Sequence, residues 1–414
     1  MRVLLISKWV AGGTKGDFYY PGVWRDTFEL SLALRRCGLE VAILTSKIQA
    51  PHLSRFDREF GYELRKNKIE HFISDFSAAF GYDWGYFRLK FFLSELRTIS
   101  KFKPDVIQYM QFGPSILYHF VRKPIIFYSC YLNGSYLGQK EDLAAKEKDW
   151  GVRYSFFSIL AFIFLNIFYV FLTKFFGSMN LKQALKRRAV LVFMHKKGYR
   201  RAREEFGNNK ALYYIQKGID YFEILKKIKN IKPKKNKLFK VLFMGSIFYG
   251  KGIFDLVRAF KEVEQKNSQT ELLIVGTGPK SLVSKLKKII KSLKLETKIR
   301  YYGSLNYHKK WRFYLESDIF CLPSYSDSYP SVIFEAAVCG LPVITTYEID
   351  SPVENGKSGI LVNSGDIKAI SQAILTLRDK KLRKVMLKNI KKEIAKYNWE
   401  NAAAEFVSLY KKLC

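Results

Sequence analysis

The sequence predicts an α/β protein made of two doubly wound parallel sheets, and three observations support this fold class. The chain has 414 residues, which is too long for one ordinary hydrophobic core and favours two domains. Short apolar runs alternate with helical stretches from the first residues onward, as in parallel strands joined by crossover helices. A lysine-rich stretch near the middle interrupts the alternation, which then resumes and indicates a second sheet.

The first series of strands defines an N-terminal domain over residues 1–222. Its first strand is Val3–Ser7, whose apolar core is too short for a signal peptide. Helices are predicted at Thr27–Cys37 and Phe91–Phe102. Further strands are predicted at Val41–Thr45, Asp105–Tyr109, Ile125–Ser129, Ala189–Met194 and Leu212–Ile215.

The second series follows a basic linker at 223–238 and defines a C-terminal domain over 239–395. The predicted strands of this domain are Phe239–Met244, Leu272–Val275, Ile299–Tyr302, Ile319–Leu322 and Pro342–Thr346. The remaining residues, 396–414, are predicted to form a helix that packs back on the N-terminal domain. Two such domains facing each other would leave an inter-domain cleft between the carboxyl ends of their strands, where ligands bind in open α/β sheets.

An uncharged apolar run of twenty residues, Tyr154–Thr173, interrupts the first series between Arg153 and Lys174. Its length would allow a helix to span a bilayer. A single span would place strands of one sheet on opposite sides of the membrane, so we predict a membrane-associating segment over 154–176 that inserts at the interface. A long core helix and a spanning helix are the alternatives.

The charge of the chain indicates polyanionic partners, because Lys and Arg exceed Asp and Glu by 34. Residues 178–203 contain nine basic residues and no acidic one, directly after the apolar run. This adjacency favours an anionic membrane surface. No nucleic acid is expected as a partner, since no zinc-finger spacing or RNA-recognition motif accompanies the charge. The alternative to an anionic partner is that the excess positive charge comes from lysines spread over solvated surfaces.

Metal and disulfide signals are missing from the sequence. The five cysteines are scattered without a disulfide or zinc spacing, which favours a reducing cytoplasm. The five histidines show no metal-ligand spacing, and no Asp-x-Asp cluster occurs. We therefore expect no metal and no cofactor.

The segment from Pro323 to Pro342 contains the strongest candidate site. It places Asp327 and Glu335 eight residues apart across a predicted strand–loop–helix junction. Pro330 suits the start of the helix and Gly340 suits its end. Asp327 then lies in the loop at the carboxyl end of a strand, near free N–H groups of the helix that can bind an anion or a hydroxyl. The alternative to a binding site is that Asp327 only caps the helix and Glu335 is an exposed helical residue.

Two glycine-rich loops also follow predicted strands. The loop in Phe243–Gly252 carries Lys251, so its backbone, the following helix N-terminus and the ammonium group could together bind a diphosphate. Gly12 and Gly13 follow the first strand in the same way. A structural turn explains either loop if it is taken alone.

These segments resemble family 4 glycosyltransferases. The Pro323–Pro342 segment resembles the E-x7-E motif of that family, with Asp327 replacing the first Glu. The Phe243–Gly252 segment resembles G-R-L-x-x-x-K-G, with Ser246 replacing the Arg. Ile215–Asp220, Leu272–Pro279, Val353–Val362 and Tyr397–Glu400 resemble further family segments. Two features of the family are absent, a glycine pair shortly after Thr346 and a first-domain histidine near Cys130.

The resemblance implies the GT-B architecture of two facing Rossmann-like domains and metal-independent, retaining sugar transfer from a nucleotide-sugar. It implies that Glu335 binds the ribose hydroxyls, that Asp327 contacts the donor sugar and that Lys251 contacts the diphosphate. These three residues are the predicted catalytic set. The predicted donor-binding residues are Gly245, Ser246, Lys251, Ser328, Tyr329, Pro330, Ser331, Glu335, Gly12 and Gly13.

The basic and aromatic-rich first domain suggests a lipid-linked saccharide or glycolipid acceptor. We therefore expect a bacterial glycosyltransferase of cell-surface polysaccharide or lipopolysaccharide biosynthesis. It would be cytoplasmic and peripheral or monotopic on the inner face of the cytoplasmic membrane. Two alternatives remain at this point: another enzyme with this fold, such as a sugar-nucleotide epimerase, and a catalytically inactive, membrane-docked binding protein.

Overall fold

The structure, a computed structural model of the chain, describes residues 1–7, 22–47, 57–77, 84–110, 121–129, 189–233, 237–303, 305, 309–325, 327 and 329–414. The chain divides into two compact units. Among the described residues, the first unit extends to Gly218 and includes Asn398–Cys414. The second unit contains Ile219–Tyr397.

In the described part of the chain, the first unit contains a parallel sheet of seven strands in the order β3-β2-β1-β4-β5-β6-β7. The strands are β1 (Arg2–Ser7), β2 (Glu40–Lys47), β3 (Glu70–Ser77), β4 (Val106–Tyr109), β5 (Ile125–Ser129), β6 (Val190–Phe193) and β7 (Leu212–Tyr214). Strand β1 pairs with β2 on one side and with β4 on the other. The direction of winding therefore reverses between β1 and β4, which is the switch point of a doubly wound sheet.

Helices cover the first sheet, and β1 is buried on both faces as its apolar sequence requires. Val3 and Leu5 belong to one hydrophobic cluster, and Leu4 and Ile6 belong to another. Before the chain enters the second unit, the described α-helices are α1 (Gly22–Arg36), α2 (Tyr62–Lys66), α3 (Trp84–Phe102) and α4 (Lys196–Phe206).

Six parallel strands form the sheet of the second unit, as far as the structure describes it, in the order β10-β9-β8-β11-β12-β13. They are β8 (Phe239–Met244), β9 (Thr270–Val275), β10 (Ile299–Tyr301), β11 (Ile319–Cys321), β12 (Val343–Thr346) and β13 (Gly359–Val362). Strand β8 pairs with both β9 and β11, so the switch point lies between β8 and β11.

Seven α-helices of the second unit lie within the described residues. They are α5 (Tyr221–Ile228), α6 (Ile253–Lys266), α7 (Lys280–Ser292), α8 (Lys310–Glu316), α9 (Ser331–Val338), α10 (Ile367–Thr376) and α11 (Lys380–Ile394). Ile224 of α5 is buried in the core of this unit. The lysine-rich segment 223–238, which was predicted to be a linker, therefore begins inside a packed helix.

The last helix, α12 (Trp399–Leu413), belongs to the first unit although its sequence follows the second. It packs against α1, where Arg36 Nη2 lies 2.7 Å from Glu400 Oε1. Phe406 is fully buried, with its ring centroid 5.0 Å from that of Tyr128. The hydroxyl of Tyr410 donates to Gln108 Oε1 at 2.5 Å.

The predicted fold class of two parallel α/β sheets is confirmed. The strands predicted from apolar runs are present, whereas β3 and β13 were missed. Both lie at an edge of their sheet, and β3 carries the exposed Ile73 together with polar residues. An edge strand is not buried like a central one, so its apolar pattern is weaker.

Several predictions fall on residues that the structure does not describe. They concern the apolar segment 154–176, the first part of the basic stretch after it, Gly12, Gly13 and Ser328. Within the described residues, no helix combines the length and the apolar character that a bilayer span requires. The inter-domain cleft stays a prediction.

Candidate functional site

The candidate site lies at the carboxyl edge of the second sheet, where the loops after β8 and β11 leave side by side. Because these two strands are hydrogen-bonded neighbours at the switch point, their following loops start next to each other. The loop after β8 contains the residues from Gly245 to Gly252, and the loop after β11 runs from Leu322 to Pro330. Helix α6 begins directly after the first loop, and α9 begins directly after the second.

The two loops are in direct contact, and Gly252 allows it. Gly252 has φ +67°, and a Cβ atom there would lie 2.0 Å from the carbonyl oxygen of Pro323. Next to it, the amide of Tyr325 donates to the carbonyl of Gly250 at 3.0 Å. A side chain at position 252 would therefore separate the loops.

The phenol of Tyr325 adds a second connection between the loop after β11 and helix α6. Its hydroxyl donates to Asp255 Oδ2 at 2.8 Å. Burial, together with this hydrogen bond to a carboxylate, raises the pKa of Tyr325 to about 12. Tyr325 therefore stays a protonated donor at neutral pH. Gly365 makes room for it, since a Cβ atom there would lie 2.7 Å from the Tyr325 hydroxyl.

Two of the predicted catalytic residues, Lys251 and Asp327, are brought together by these loops. Lys251 Nζ forms a salt bridge with Asp327 Oδ2. The side chains are 26% and 15% exposed, so the pair is partly shielded from water but still reachable by a ligand. The ammonium group has three N–H donors, and its contact with Asp327 uses part of this capacity. An incoming phosphate would meet Lys251 with a carboxylate already beside it.

The third predicted catalytic residue, Glu335, lies one turn inside α9 and contacts two residues of α8. Lys310 Nζ donates to Glu335 Oε1 at 2.6 Å, and the Tyr314 hydroxyl donates to Oε2 at 2.9 Å. The Lys310 and Glu335 side chains are only 15% and 13% exposed. Helix α8 begins at Lys310 after the loop that follows β10, which places both lysine and carboxylate near the carboxyl edge.

Lys310 and Tyr314 were missed by the sequence analysis. Lys310 is one lysine among many, and Tyr314 sits in a short helix where an aromatic residue is more often part of the core. Their spacing of four residues places both on one face of a helix, which is a signal that could have linked them. It could not have shown that Glu335 faces them.

The other predicted donor-binding residues line the two loops. The amide of Gly245 donates to the Val275 carbonyl at 3.0 Å, so Gly245 can offer close backbone approach but not its N–H group. Tyr329 stacks on Phe334 with ring centroids 4.3 Å apart. Pro330 is buried directly before α9, and Ser331 is the exposed first residue of that helix.

Ser246 occupies the position where the family motif has an arginine. Its carbonyl accepts a hydrogen bond from the amide of Phe248 at 3.0 Å, which shapes the turn before Lys251. Serine brings no positive charge, so Lys251 is the predicted cation of this loop. Asp327 offsets that charge in the structure.

Two described histidines have contacts that suit structural roles. His195 Nδ1 accepts a hydrogen bond from the Gly198 amide at 2.9 Å and caps helix α4. His71 Nε2 lies 2.8 Å from Thr45 Oγ1 in the first sheet. In the part of the chain that the structure describes, no group of three or more His, Cys, Asp or Glu side chains could hold a metal ion.

Comparison of the sequence with known protein families finds one match, which covers the candidate site. Residues 225–393 match the family model described as glycosyl transferases group 1. The matched range lies within the second unit, which is therefore similar to this group. The matched range includes Lys251, Asp327 and Glu335, so the resemblance found in the sequence is confirmed at the level of this group.

Two relatives of the chain are named as glycosyltransferases. An uncharacterized glycosyltransferase of Methanocaldococcus jannaschii is 28% identical over 218 residues, which cover 51% of this chain and 55% of that protein. The capsular polysaccharide biosynthesis glycosyltransferase CapM of Staphylococcus aureus is 25% identical over 219 residues, covering 50% of this chain and 53% of CapM. The chain thus spans about half the length of these curated relatives.

Solved structures resemble the chain over its whole length. HepE of Anabaena, solved in complex with UDP and glucose, matches with a TM-score of 0.67 and 16% identity over 100% of both chains. At this identity the likeness shows the fold. It confirms the predicted GT-B class of two parallel α/β sheets.

Proposed function

We propose that the chain is a glycosyltransferase that binds a nucleotide-sugar donor at the carboxyl edge of the second sheet. The observation that carries the proposal is the salt bridge between Lys251 and Asp327 at the switch point, with Glu335 in the helix that follows, inside the range that matches group 1 glycosyltransferases. The site has two ammonium groups, which can pair with phosphates, and two carboxylates, which can accept hydrogen bonds from hydroxyls. A ligand with both phosphates and hydroxyls fits this set.

The proposed mechanism is retaining transfer with departure of the nucleoside diphosphate. Lys251 and the N-terminus of α6 would stabilise the charge that develops on the leaving diphosphate. The acceptor hydroxyl would attack the anomeric carbon from the face that the diphosphate leaves. The diphosphate can take the acceptor proton, so the scheme requires no protein base. Asp327 would orient the donor sugar, and Glu335 would hold the ribose.

Release of free nucleotide tests this proposal. Purified protein is incubated with UDP-, GDP- and ADP-sugars, with and without a lipid extract, and the nucleoside diphosphate is measured. UDP-sugars come first because the structural relative HepE was solved with UDP. Release from one donor that rises with lipid supports the proposal. Lys251→Met should reduce it at least about 100-fold, which is the scale of one lost transition-state cation; near-normal turnover would refute the assignment of Lys251.

The two alternatives give different outcomes in the same experiment. A sugar-nucleotide epimerase would isomerise the sugar, and product analysis would detect this. A binding protein without turnover would bind a donor in calorimetry but release no nucleotide. The salt bridge between Lys251 and Asp327 and the serine at position 246 favour this second alternative, because both reduce the free positive charge for a diphosphate.

We further propose a lipid-linked saccharide or glycolipid acceptor and a peripheral position on the inner face of the cytoplasmic membrane. The net charge of +34 supports an anionic surface as partner. Helix α11 presents six exposed lysines around Val385, which is 57% exposed; they are Lys380, Lys381, Lys384, Lys388, Lys391 and Lys392. The relative CapM, named for capsular polysaccharide biosynthesis, supports a role in cell-surface polysaccharide assembly.

Vesicle sedimentation tests the membrane proposal. The protein should bind vesicles that contain phosphatidylglycerol, and binding should fall as salt rises to about 0.5 M, since salt screens charges on this scale. Vesicles of pure phosphatidylcholine are the control. Equal binding to both, or to neither, would contradict the proposal.

A further inference from the structure

Glu335 is held at both of its carboxylate oxygens by side chains of one short helix. Lys310 Nζ lies 2.6 Å from Oε1, and the Tyr314 hydroxyl lies 2.9 Å from Oε2. A carboxylate bonded at one oxygen can rotate about its broad terminal torsion. Donors on both oxygens fix its plane as well as its position.

Both donors are themselves held in place by the core. Tyr314 is fully buried, and its ring centroid lies 5.9 Å from that of Phe320. The ammonium of Lys310 lies 4.5 Å from the ring centroid of Trp311, which is buried. Packing of this kind keeps a supporting group in one rotamer, so the orientation of Glu335 is set before any ligand arrives.

The geometry leaves acceptor capacity on both oxygens. A carboxylate offers about four lone-pair sites, two on each oxygen. Lys310 and Tyr314 use one site on each, because they bond to different oxygens. The second site of each oxygen lies in the same plane, and two neighbouring hydroxyls can donate to such a pair at once. The 2′- and 3′-hydroxyls of a ribose are neighbours of this kind.

We propose that Lys310 and Tyr314 are positioning residues that orient Glu335 to accept two hydrogen bonds from the ribose of the donor. The inference rests on the proposed function, since it takes a nucleotide as the ligand. It adds selectivity for ribonucleotides over 2′-deoxyribonucleotides. A nucleotide without the 2′-hydroxyl leaves one fixed oxygen without its donor, and this costs affinity.

The experiment compares the affinity for UDP with that for 2′-deoxy-UDP by titration calorimetry, followed by the GDP and ADP pairs. The wild-type protein should bind the ribonucleotide about 10- to 100-fold more tightly than its deoxy form. Tyr314→Phe keeps the buried ring, and Lys310→Met keeps the stem of the side chain. Each should reduce the ratio to below about threefold by weakening ribonucleotide binding. Lys310→Arg keeps a cationic donor and should retain more of the ratio than Lys310→Met.

Tyr410→Phe is the matched control. Tyr410 is also fully buried, and its hydroxyl donates to Gln108 in the first unit. Its loss should leave the ratio unchanged, and thermal unfolding of each variant checks that the fold is intact. If Tyr314→Phe and Lys310→Met keep the wild-type ratio, or if the wild-type ratio is close to one, the inference is wrong while the proposed function stands. If wild-type protein binds none of the three ribonucleotides, the proposed function is wrong and the inference falls with it.

Discussion

Each carboxylate of the predicted motif meets a lysine, Lys251 at Asp327 and Lys310 at Glu335. The two pairs differ in their remaining contacts. Glu335 also accepts a hydrogen bond from buried Tyr314, whereas Asp327 stands in a loop. A ligand phosphate can therefore replace Asp327 as the partner of Lys251. This difference leads to a prediction about the charge of Asp327.

Asp327→Asn should tighten the binding of a free nucleoside diphosphate about three- to tenfold. The substitution keeps the size of the side chain and removes the negative charge that now offsets Lys251. A change of this size corresponds to about 1 kcal/mol, which is typical of a partly exposed ion pair. Binding of UDP, measured by calorimetry, checks the prediction, and sugar transfer by the same variant should fall if Asp327 contacts the sugar.

Asp379→Asn is the control for net charge. Asp379 caps helix α11 by accepting hydrogen bonds from the amides of Lys381 and Leu382, and asparagine caps a helix about as well. The control changes the charge by the same amount without touching Lys251. Weaker diphosphate binding by Asp327→Asn, or equal tightening by both variants, would contradict a direct effect of Asp327 on Lys251.

A second prediction concerns His71, which should make the stability of the first unit depend on pH. Burial lowers the pKa of His71 to about 4 from 6.5, so the folded state favours the neutral ring. Below pH 6.5 the unfolded chain binds a proton that the folded chain does not, and the free energy of unfolding falls as pH falls towards 4. The loss should reach at most about 3 kcal/mol.

Urea unfolding of wild type and His71→Gln between pH 4 and pH 7 tests this dependence. Glutamine can still form a hydrogen bond with Thr45 but does not titrate. The variant should lose less stability than wild type over this range. Identical pH profiles would show that His71 does not control the effect.

The sequence was sufficient to locate the two carboxylates of the site but not to identify the residues that contact Glu335. Asp327 and Glu335 could be found because a strand, a proline and a glycine mark the loop and helix that carry them. Lys310 and Tyr314 precede Glu335 by more than twenty positions, and nothing in the spacing shows which residues of two different helices meet. Tertiary packing decides that contact.

At the level of secondary-structure elements, the contact between the loops after β8 and β11 depends on Gly252. Gly252→Ala would introduce both a strained φ of +67° and a contact of 2.0 Å with the Pro323 carbonyl. Strain alone costs about 1 kcal/mol. The steric contact should raise the loss to about 3 kcal/mol or more, since backbone atoms would have to shift. Nucleotide binding should fall with it, because the shift moves the neighbouring Lys251 away from the position proposed for the diphosphate.

Gly356→Ala separates strain from steric contact. Gly356 has φ +74° in the same unit, and a Cβ atom there would meet nothing within 4 Å. It should therefore cost only about 1 kcal/mol and leave nucleotide binding unchanged. Equal losses of the free energy of unfolding in the two variants would show that the contact between the loops is unimportant.

The prediction of strands succeeded where the strands are buried and failed at two edge strands, β3 and β13. Central strands such as β1 and β8 are mostly apolar because helices cover both of their faces. The missed strand β3 has the sequence EHFISDFS, in which polar residues interrupt the apolar ones. The predicted linker was interpreted from its lysines, yet Ile224 anchors part of it in a helix. Composition alone could not show that a helix with one buried residue, Ile224, packs there.

At the level of the whole chain, the covalent order and the two compact units do not coincide. The chain passes from the first unit to the second after Gly218 and returns after Tyr397. Gly218 is required at the first passage, since a Cβ atom there would lie 2.7 Å from the backbone of Trp399. Helix α12 then completes the core of the first unit through Phe406.

Substitutions in the two cores should therefore act on different units. Phe406→Ala and Phe260→Ala each remove a fully buried ring and should cost about 3–5 kcal/mol. Phe406 contacts Tyr128 of β5, whereas Phe260 lies in the core of the second unit. Amide hydrogen exchange should show faster exchange in β4 and β5 for Phe406→Ala and in β8 and β9 for Phe260→Ala. If Phe406→Ala accelerates exchange equally in both sheets, the C-terminal helix does not stabilise the first unit selectively.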